Sequence, residues 1–391
     1  MKILHTSDWH LGHSLYGYDR SEEQVGMMMQ MRDFIEAEMP DVFLISGDVF
    51  HTSAPAMEIQ RCFAEALLSF HAANPDMSII ITSGNHDSGT RIEIFRRLWD
   101  VVGVRMIGHI DTEHPENHIV EIDSKGYVIA VPYAYERLIP KDFFVSLQRI
   151  VAERNTKGLP VVMTAHTTVT GCDFKGHDNA TERMVGGIDS IAADRFGDGF
   201  DYLALGHIHK AQDIAVNCIR TSDKGSAIRY CGTPLAVSFD ESYPHSVSIV
   251  EIEGRGSKPV IRELQVSNPR PLVTLPPHGS ATLDEALAQL RSFDADSKAY
   301  IRLNVLVDGY LPPTANADAV SATEGKCCRF CLINPQRRAT TDTGGNEPVG
   351  MTVAELQKTD PVTIARRYAE RRNLNFDEEL FMEAFNSLAS L

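Results

Sequence analysis

Residues 3–12, ILHTSDWHLG, place a short apolar run directly before a polar cluster that contains Asp8 and His10. The same order recurs in residues 41–51, DVFLISGDVFH, and in residues 78–87, SIIITSGNHD. Each apolar run has the length of a buried strand, and segments of helical periodicity separate the runs. Strands that alternate with helices indicate βαβ units and a largely parallel sheet. The pattern therefore predicts an α/β fold with polar residues after successive strands.

The first two thirds of the chain continue this alternation. Ser21–Gln24 matches a capping box and predicts the start of the first long helix. We expect helices over 21–38, 56–73 and 90–102. The predicted strands are 3–6, 41–46, 78–82, 104–107, 118–122, 127–131, 160–165, 202–205 and 246–252.

The composition of the sequence changes near residue 267, where proline-rich segments that interrupt helices and strands begin. We predict a small separate α/β domain here. Its predicted elements are a helix over 282–292, a strand over 300–307, a helix near 314–323 and a strand over 328–333. Residues 340–350 have linker composition, and 351–391 predict two amphipathic helices. The predicted domains are 1–266 and 267–339, followed by the linker and a helical tail.

The chain has 391 residues, with 37 basic and 53 acidic side chains, so its formal net charge is −16. Residues 1–266 contribute 24 − 37 = −13 of this charge. An acidic chain argues against extensive phosphate binding, unless some carboxylates hold metal cations. Because no segment approaches the roughly 18 apolar residues of a membrane span, and the N-terminus turns polar early, we expect a cytoplasmic protein without a membrane partner.

Seven cysteines are irregularly spaced, which makes a disulfide framework improbable. Cys327, Cys328 and Cys331 lie close together, but no second Cys/His pair follows at the spacing of a zinc site. Their alternating context predicts a half-buried strand with incidental thiols.

Polar clusters follow five predicted strands of the first domain. Since the carboxyl ends of parallel strands lie at one edge of a sheet, the clusters are expected to meet there. Their oxygen and imidazole donors suit manganese, iron or zinc. The residues are Asp8 and His10, Asp48 and His51, Asn85 with His86 and Asp87, His166, and His207 with His209.

The polar clusters contain the motifs Asp-Trp-His, Gly-Asp-Val-Phe-His, Gly-Asn-His-Asp and Gly-His-Ile-His, and residues 230–240 read YCGTPLAVSFD. Together, these motifs resemble those of the calcineurin-like metallophosphoesterases. Within this superfamily, the chain resembles the nucleases of double-strand-break repair. The resemblance implies a two-sheet α/β sandwich with a small α/β capping domain and a C-terminal helical tail. It also implies two divalent metal ions, manganese by preference.

The resemblance assigns roles to the polar clusters. It implies that Asp8, His10 and His209 bind one metal ion, that Asn85, His166 and His207 bind the other, and that Asp48 bridges both. His86 matches the family's catalytic histidine, and His51 matches a second histidine on the substrate side. Asp87 either orients His86 or caps the following helix.

The residues alone predict metal-dependent phosphodiester hydrolysis, and the resemblance implies a DNA nuclease with double-strand exonuclease and single-strand or hairpin endonuclease activity. The resemblance implies that it acts in DNA repair and recombination as a homodimer within a heterotetramer, and that its tail binds an SMC-family ATPase. A small-molecule phosphodiesterase on this fold remains an alternative, although the long C-terminal extension disfavours a minimal cyclic-nucleotide enzyme. A non-catalytic scaffold is a second alternative, disfavoured because all seven ligand positions are filled.

Overall fold

The computed structural model describes residues 1–173, 190–214 and 227–337, and the single positions 362, 366, 377 and 381. The chain divides into two units, Met1–Arg337 and Arg338–Leu391. The first unit contains both sheets of the predicted sandwich and the small α/β domain.

The first sheet has six strands, four of them parallel. In spatial order its strands are β14 (Val260–Gln265), β13 (Ser246–Glu251), β1 (Lys2–Thr6), β2 (Val42–Ser46), β3 (Ser78–Thr82) and β4 (Val104–Ile107). Strands β1 to β4 run parallel, whereas β13 pairs antiparallel with both β1 and β14. The polar segments that follow β1, β2 and β3 therefore leave the sheet at the same edge.

The second sheet also has six strands. In spatial order they are β11 (Gln212–Asp213), β12 (Ala227–Tyr230), β10 (Tyr202–Gly206), β7 (Val161–His166), β6 (Gly126–Ala130) and β5 (Ile119–Ile122). The four central strands are parallel, and both edge strands are antiparallel to their neighbours. A short parallel pair, β8 (Thr168–Val169) with β9 (Ser190–Ile191), follows β7.

The two sheets pack face to face through aliphatic side chains. Ile3, Leu44 and Ile80 of the first sheet share a buried core with Val128 and Val162 of the second. The helices that cover the outer faces are α1 (Ser21–Glu38) and α2 (Met57–Ala73) on the first sheet and α5 (Phe143–Arg154) on the second. The predicted two-sheet α/β sandwich is confirmed.

Residues beyond 267 form a parallel three-stranded sheet with its own core. Its strands are β15 (Leu272–Leu275), β16 (Tyr300–Val307) and β17 (Arg329–Arg337), and its helices are α6 (Leu283–Ser292) and α7 (Ala315–Ser321). Leu287, Ile301 and Phe330 are among the residues of the core. The domain boundary at residue 266 stays a prediction, since this sheet lies in the same unit as the sandwich.

The cysteine-rich segment lies at the start of β17. Cys327 is exposed, Cys328 is buried and Cys331 is partly buried. In the described parts of the chain, the side-chain groups with the spacing of a metal site contain none of these three thiols.

Buried polar contacts join the small domain to α1. The Tyr300 hydroxyl donates a hydrogen bond to Glu23 Oε1 at 2.7 Å, and both residues are about 1% exposed or less. The Arg329 guanidinium stacks on the rings of Tyr18 and Tyr300, at 5.2 and 5.7 Å from their centroids. This contact positions the small domain beside the loop that carries His10.

Two predictions about helices are wrong. Ser21 is the first residue of α1 and not its cap, since its hydroxyl donates to Asp19 Oδ1 at 2.7 Å. The amide of Gln24 points instead to the β1 loop, where it accepts from Gly12 N–H and donates to the His10 carbonyl at 3.0 and 3.2 Å.

The single helix predicted over 90–102 is replaced by three short pieces. These are α3 (Gly89–Glu93), α4 (Arg96–Trp99) and a 3₁₀ turn over Asp100–Val102. Phe95 leaves helical geometry between α3 and α4, and the Glu93 carboxylate accepts from Gly108 N–H at 2.7 Å. That contact ties the end of α3 to the strand β4 and interrupts the helix.

The second unit is described at four positions. Val362, Arg366 and Phe381 are helical, and Phe381 N–H donates to the Asp377 carbonyl at 3.1 Å. The predicted linker at 340–350 and most of the predicted helical tail lie outside the described residues. Among the described helices, none has both the length and the apolar character to cross a membrane.

Replacing Tyr300 with phenylalanine tests the contact between the small domain and α1. We expect Tyr300→Phe to lower the free energy of unfolding by about 2 kcal/mol, because the buried Glu23 carboxylate loses a charge-assisted hydrogen bond. Urea denaturation measures the change. Tyr310→Phe is the matched control, since Tyr310 is 98% exposed; equal stabilities of the two variants would contradict the prediction.

Candidate metal centre

Five segments at the carboxyl edges of the two sheets bring the predicted residues together. They follow β1, β2 and β3 of the first sheet and β7 and β10 of the second. The six carboxylate and imidazole residues predicted as ligands are each at most 7% exposed, whereas Asn85, His51 and His86 are partly buried. The six buried residues are Asp8, His10, Asp48, His166, His207 and His209.

Backbone hydrogen bonds hold the β1 and β2 loops side by side. Asp8 N–H donates to the Gly47 carbonyl at 3.1 Å, and His10 N–H donates to the Asp48 carbonyl at 3.1 Å. His51 N–H returns to the Leu11 carbonyl at 3.0 Å. These main-chain hydrogen bonds fix both loops. The loops in turn bring the side chains of Asp8, His10 and Asp48 close together.

Four of these residues have a left-handed backbone, which is rare for residues with a side chain. The φ angles of Asp8, His10, Asp48 and His207 are 54°, 45°, 50° and 97°. Such a conformation costs on the order of 1–3 kcal/mol and persists where the surrounding structure enforces it, typically at functional sites. The backbone strain therefore lies at four of the residues that are predicted to bind metal ions.

Asp8, His10 and His209 form one compact group of donor atoms. Their candidate ligand atoms lie within 4.8 Å of one another. His10 Nε2 faces His209 Nε2 at 3.2 Å, and His209 Nδ1 lies 2.9 Å from Glu241 Oε1. Because Glu241 engages one nitrogen of His209, the other is directed at His10.

Asp48, Asn85, His166 and His207 form the adjacent group. His166 Nδ1 lies 2.7 Å from the Ser46 carbonyl, so the ring turns Nε2 toward Asp48 Oδ2 at 3.4 Å and Asn85 Oδ1 at 3.0 Å. His207 Nδ1 lies 3.0 Å from the same Asn85 oxygen.

Asp48 lies between the two groups. Its Oδ2 is 3.4 Å from His166 Nε2 and 3.8 Å from His10 Nε2. Its Oδ1 accepts from His86 N–H at 2.9 Å, which fixes the carboxylate plane. One oxygen of Asp48 therefore faces both groups.

Neighbouring carboxylates raise the pKa of two buried imidazoles of the site, whereas burial lowers the pKa of His10 well below its usual range. Burial alone would lower the pKa of His166, but the charge and hydrogen bond of Asp48 raise it to about 10. The pKa of His209 rises to about 9 against its burial, because Glu241 lies beside its ring. Burial opposes the ionisation of Asp48, yet His166 keeps the pKa of this carboxyl well below its usual range.

His51 and His86 stack beside the first group. Their rings are 5.5 Å apart and nearly parallel, and His86 lies 4.9 Å from the His10 ring. His86 Nδ1 is 3.0 Å from the His51 carbonyl oxygen. Both rings are partly exposed, and His10, His51 and His86 together also have the spacing of a metal site.

Asp87 acts on the backbone of the site. Its carboxylate accepts from Gly84, Val49 and Phe50 N–H at 2.9, 3.1 and 2.9 Å. The helix-capping alternative is wrong, because Ser88 is the N-cap of α3. Asp87 thus ties the β3 loop to the β2 loop, while the His86 ring is oriented by the His51 carbonyl.

Three residues around the site were not predicted from the sequence. Glu241 supports His209, Gln24 holds the β1 loop, and the ring of His13 lies 4.7 Å from that of His51. Glu241 follows directly after the 230–240 segment, and His13 is three residues from His10. Their closeness to these motifs along the chain is the sequence signal that could have placed both near the site. Burial, followed by the proximity of His51, lowers the pKa of His13 to about 3.

This arrangement agrees with a comparison of the sequence with known families. Residues 1–211 match the model of the calcineurin-like phosphoesterase family. The chain belongs to this family. The matched range contains every predicted site residue.

Curated relatives narrow the relationship further. A protein of Rhodobacter capsulatus, named as the D subunit of nuclease SbcCD, is 30% identical over 326 residues, which cover 74% of this chain and 75% of the relative. Proteins of the same name from Bacillus subtilis and Escherichia coli K12 are 30% and 24% identical and cover 70% and 80% of this chain, or 71% and 79% of the relatives. The resemblance to repair nucleases is thereby confirmed.

A methyl group at Gly84 tests the packing around Asp48. A Cβ there would lie 2.0 Å from Asp48 Oδ1 and 2.3 Å from Asp48 N, so the β2 and β3 loops would have to separate. We expect Gly84→Ala to lower the free energy of unfolding by about 1–3 kcal/mol and to weaken metal binding. Thermal unfolding and metal titration measure both effects.

Gly26→Ala is the matched control for this substitution. Gly26 lies in α1. Among the described residues, apart from its chain neighbours and the backbone of its own helix, no atom lies within 4 Å of the point that its Cβ would occupy, so alanine there should keep or slightly raise stability. If Gly84→Ala binds metal as the wild type does, the close contact with Asp48 does not control the site.

Proposed function

We propose that the chain is a metal-dependent DNA nuclease that acts with an SbcC-like SMC-family ATPase in DNA repair and recombination. Its expected activities are exonucleolytic on double strands and endonucleolytic on single strands and hairpins. The observation that carries the proposal is the position of Asp48 Oδ2 between His10 and His166, with further buried donors on each side.

We assign one divalent ion to Asp8, His10 and His209, and a second to Asn85, His166 and His207. Asp48 bridges the two ions. The proximity of its Oδ2 to an imidazole of each set supports this assignment. A bridging carboxylate is the usual device for holding two ions about 3.5–4 Å apart.

The donor atoms fit such ions. When His166 is neutral, its Nδ1 proton is committed to the Ser46 carbonyl, and Nε2 then presents a lone pair to two other acceptor oxygens. A divalent cation bound there would replace the proton that Asp48 otherwise holds on the His166 ring, and would satisfy the same oxygens. The mixture of carboxylate, amide and imidazole donors favours manganese among the candidates.

When bound, the two ions supply a hydroxide nucleophile near neutral pH and neutralise charge on the phosphoryl oxygens. The protein residues hold the reacting groups in place. His86, partly exposed beside His10, is positioned to stabilise the transition state or to protonate the leaving oxygen. The His51 carbonyl orients the His86 ring, and its own ring stacks against it.

We assign His51 and His86 to catalysis although they also form a possible metal group with His10. This trio contains no carboxylate, so it offers no negative charge to a hard divalent ion. The buried carboxylates of Asp8 and Asp48 lie in the other two groups.

We propose that the chain works as a homodimer within a heterotetramer. An apolar surface on α4, the two residues before it and the turn after it supports the dimer: Ile94, Phe95, Leu98 and Val101 are 66%, 58%, 70% and 83% exposed. Exposed apolar patches of this kind mark interaction surfaces. The relatives are named as the D subunit of nuclease SbcCD, which supports a second subunit as partner.

We also propose that residues 267–339 act as a capping domain that contacts or orients DNA, and that residues 351–391 bind the ATPase. The tail contains Val353, Leu356, Ile364 and Tyr368, then Leu380, Phe381, Phe385 and Leu388, within charged segments. A short amphipathic pair has little core of its own and gains stability by docking.

A pair of variants separates catalysis from metal binding. We expect His86→Ala to bind two Mn²⁺ ions and to lose about 100-fold or more of the DNA cleavage rate, because only proton transfer or charge stabilisation is removed. Asp48→Ala should bind fewer than two ions. Elemental analysis and cleavage of hairpin DNA measure the two properties; full activity of His86→Ala would remove this residue from the mechanism.

A charge in the apolar surface tests the dimer. We expect the wild type to have twice the 43.3 kDa mass of one chain by light scattering, and Leu98→Asp to be monomeric. Val260→Asp is the control, since Val260 is 66% exposed on the edge strand β14. A monomeric wild type, or a dimeric Leu98→Asp variant, would disprove this interface.

Deletion of residues 351–391 tests the role of the tail. The truncated chain should keep its metal-dependent nuclease activity, because the predicted ligands all lie within residues 1–266. It should no longer co-purify with a co-expressed SbcC-like ATPase. Undiminished co-purification would show that the ATPase binds elsewhere.

A further inference from the structure

The segment after β6 leads from the metal centre to the surface. Tyr133 N–H donates to the Ser83 carbonyl at 2.8 Å, which holds this segment against the loop that carries Asn85. The Tyr133 ring centroid lies 6.2 Å from that of His166 and 6.5 Å from that of His207. An aromatic side chain therefore borders the donor group of the second proposed ion.

Two further side chains continue outward from Tyr133. The Tyr135 ring lies 5.6 Å from the Tyr133 ring, and the Arg137 guanidinium lies 5.2 Å over the Tyr135 ring. Tyr135 is 37% exposed and Arg137 is exposed. The order from the metal centre to solvent is thus aromatic, aromatic and cationic.

The turn that carries Arg137 is held in place by a second arginine. Arg195 donates to the carbonyls of Lys141 and Ile139, and its Nε lies 3.5 Å from Glu136 Oε1. The 3₁₀ turn Glu136–Leu138 is therefore anchored to the second sheet's side of the sandwich.

We propose that Tyr133, Tyr135 and Arg137 form the subsite for the nucleotide next to the cleaved phosphodiester. Its base stacks on the tyrosine rings, and Arg137 contacts the following phosphate. The inference rests on the proposed nuclease function, and it assigns the side of the metal centre on which the single strand lies.

The chemistry of the three side chains favours a nucleic-acid strand as the ligand. Proteins bind single strands by combining aromatic rings, on which bases stack without sequence preference, with cations that follow the backbone. In a domain with a formal charge of −13, a phosphate chain needs local cations, and Arg137 is followed four residues later by Lys141, which is also exposed.

Cleavage of single-stranded oligonucleotides with Mn²⁺ tests the subsite. Tyr135→Ala should raise KM for the intact strand by about tenfold to a hundredfold, the factor that corresponds to the loss of one base–aromatic stack. Tyr135→Phe should restore the wild-type KM, because the ring is kept. Leu138→Ala, at a residue that is 64% exposed in the same turn, is the matched control and should leave KM unchanged.

Abasic substrates show whether a base is the group that is bound. With the wild type, removing the base next to the cleaved phosphate should raise KM by the same factor as Tyr135→Ala, whereas the variant should not respond to its removal. Equal responses of wild type and variant, or an unchanged KM for Tyr135→Ala, would overturn the subsite. If the Mn²⁺-loaded wild type cleaves no intact strand, the proposed nuclease function itself has failed.

Discussion

The carboxylate of Asp48 is the point at which the two sheets and their loops meet. Its Oδ2 faces His10 of the first sheet's loops and His166 of the second sheet. Its backbone carbonyl accepts from His10, and its Oδ1 accepts from His86. The left-handed backbone at Asp48 and the close approach of Gly84 are consequences of bringing these contacts together. Asp8 also has donor atoms within 4.8 Å of both His209 and His166, so the two buried carboxylates lie together between the donor groups.

The net negative charge of the chain affects how the proposed site would bind DNA. Among the acidic residues, only Asp8 and Asp48 are proposed ligands, so two divalent ions would offset four charges of the −13 in residues 1–266. The ions change the sign of the charge locally, at the reaction centre. The remaining carboxylates repel a phosphate backbone, so we expect weak DNA binding by this chain alone, with the proposed dimer and the proposed ATPase partner supplying the rest.

The sequence predicted the central strands well, because the short apolar runs that precede Asp8, Asp48 and Asn85 are buried on both faces. It did not predict β12, β14 and β15. The same alternation brought the predicted site residues to one edge. Prediction failed where tertiary contacts decided the outcome. Ser21 and Gln24 have the spacing of a capping box, but Gln24 instead bonds the loop of His10. The supporting role of Glu241 depends on its distance from His209, and spacing along the chain cannot supply that distance.

The segment 90–102 illustrates the other limit of sequence patterns. Its apolar residues have helical spacing, which normally indicates a buried face, yet Leu98 and Val101 are exposed. Helical periodicity indicates that a segment has an apolar face, but it does not indicate whether the same chain buries that face. The break at Phe95 follows from the attachment of Glu93 to Gly108, a contact between residues 15 positions apart.

The central claim is that two ions on either side of Asp48 drive hydrolysis of DNA. Its most direct test is a titration of chelator-treated protein with Mn²⁺, with cleavage of hairpin and single-stranded DNA and turnover of cyclic nucleotides measured at each metal content. We expect DNA cleavage to appear as the second ion per chain binds and to disappear when chelator is added. Undiminished cleavage in chelator, full activity with one ion per chain, or turnover of cyclic nucleotides alone would contradict it.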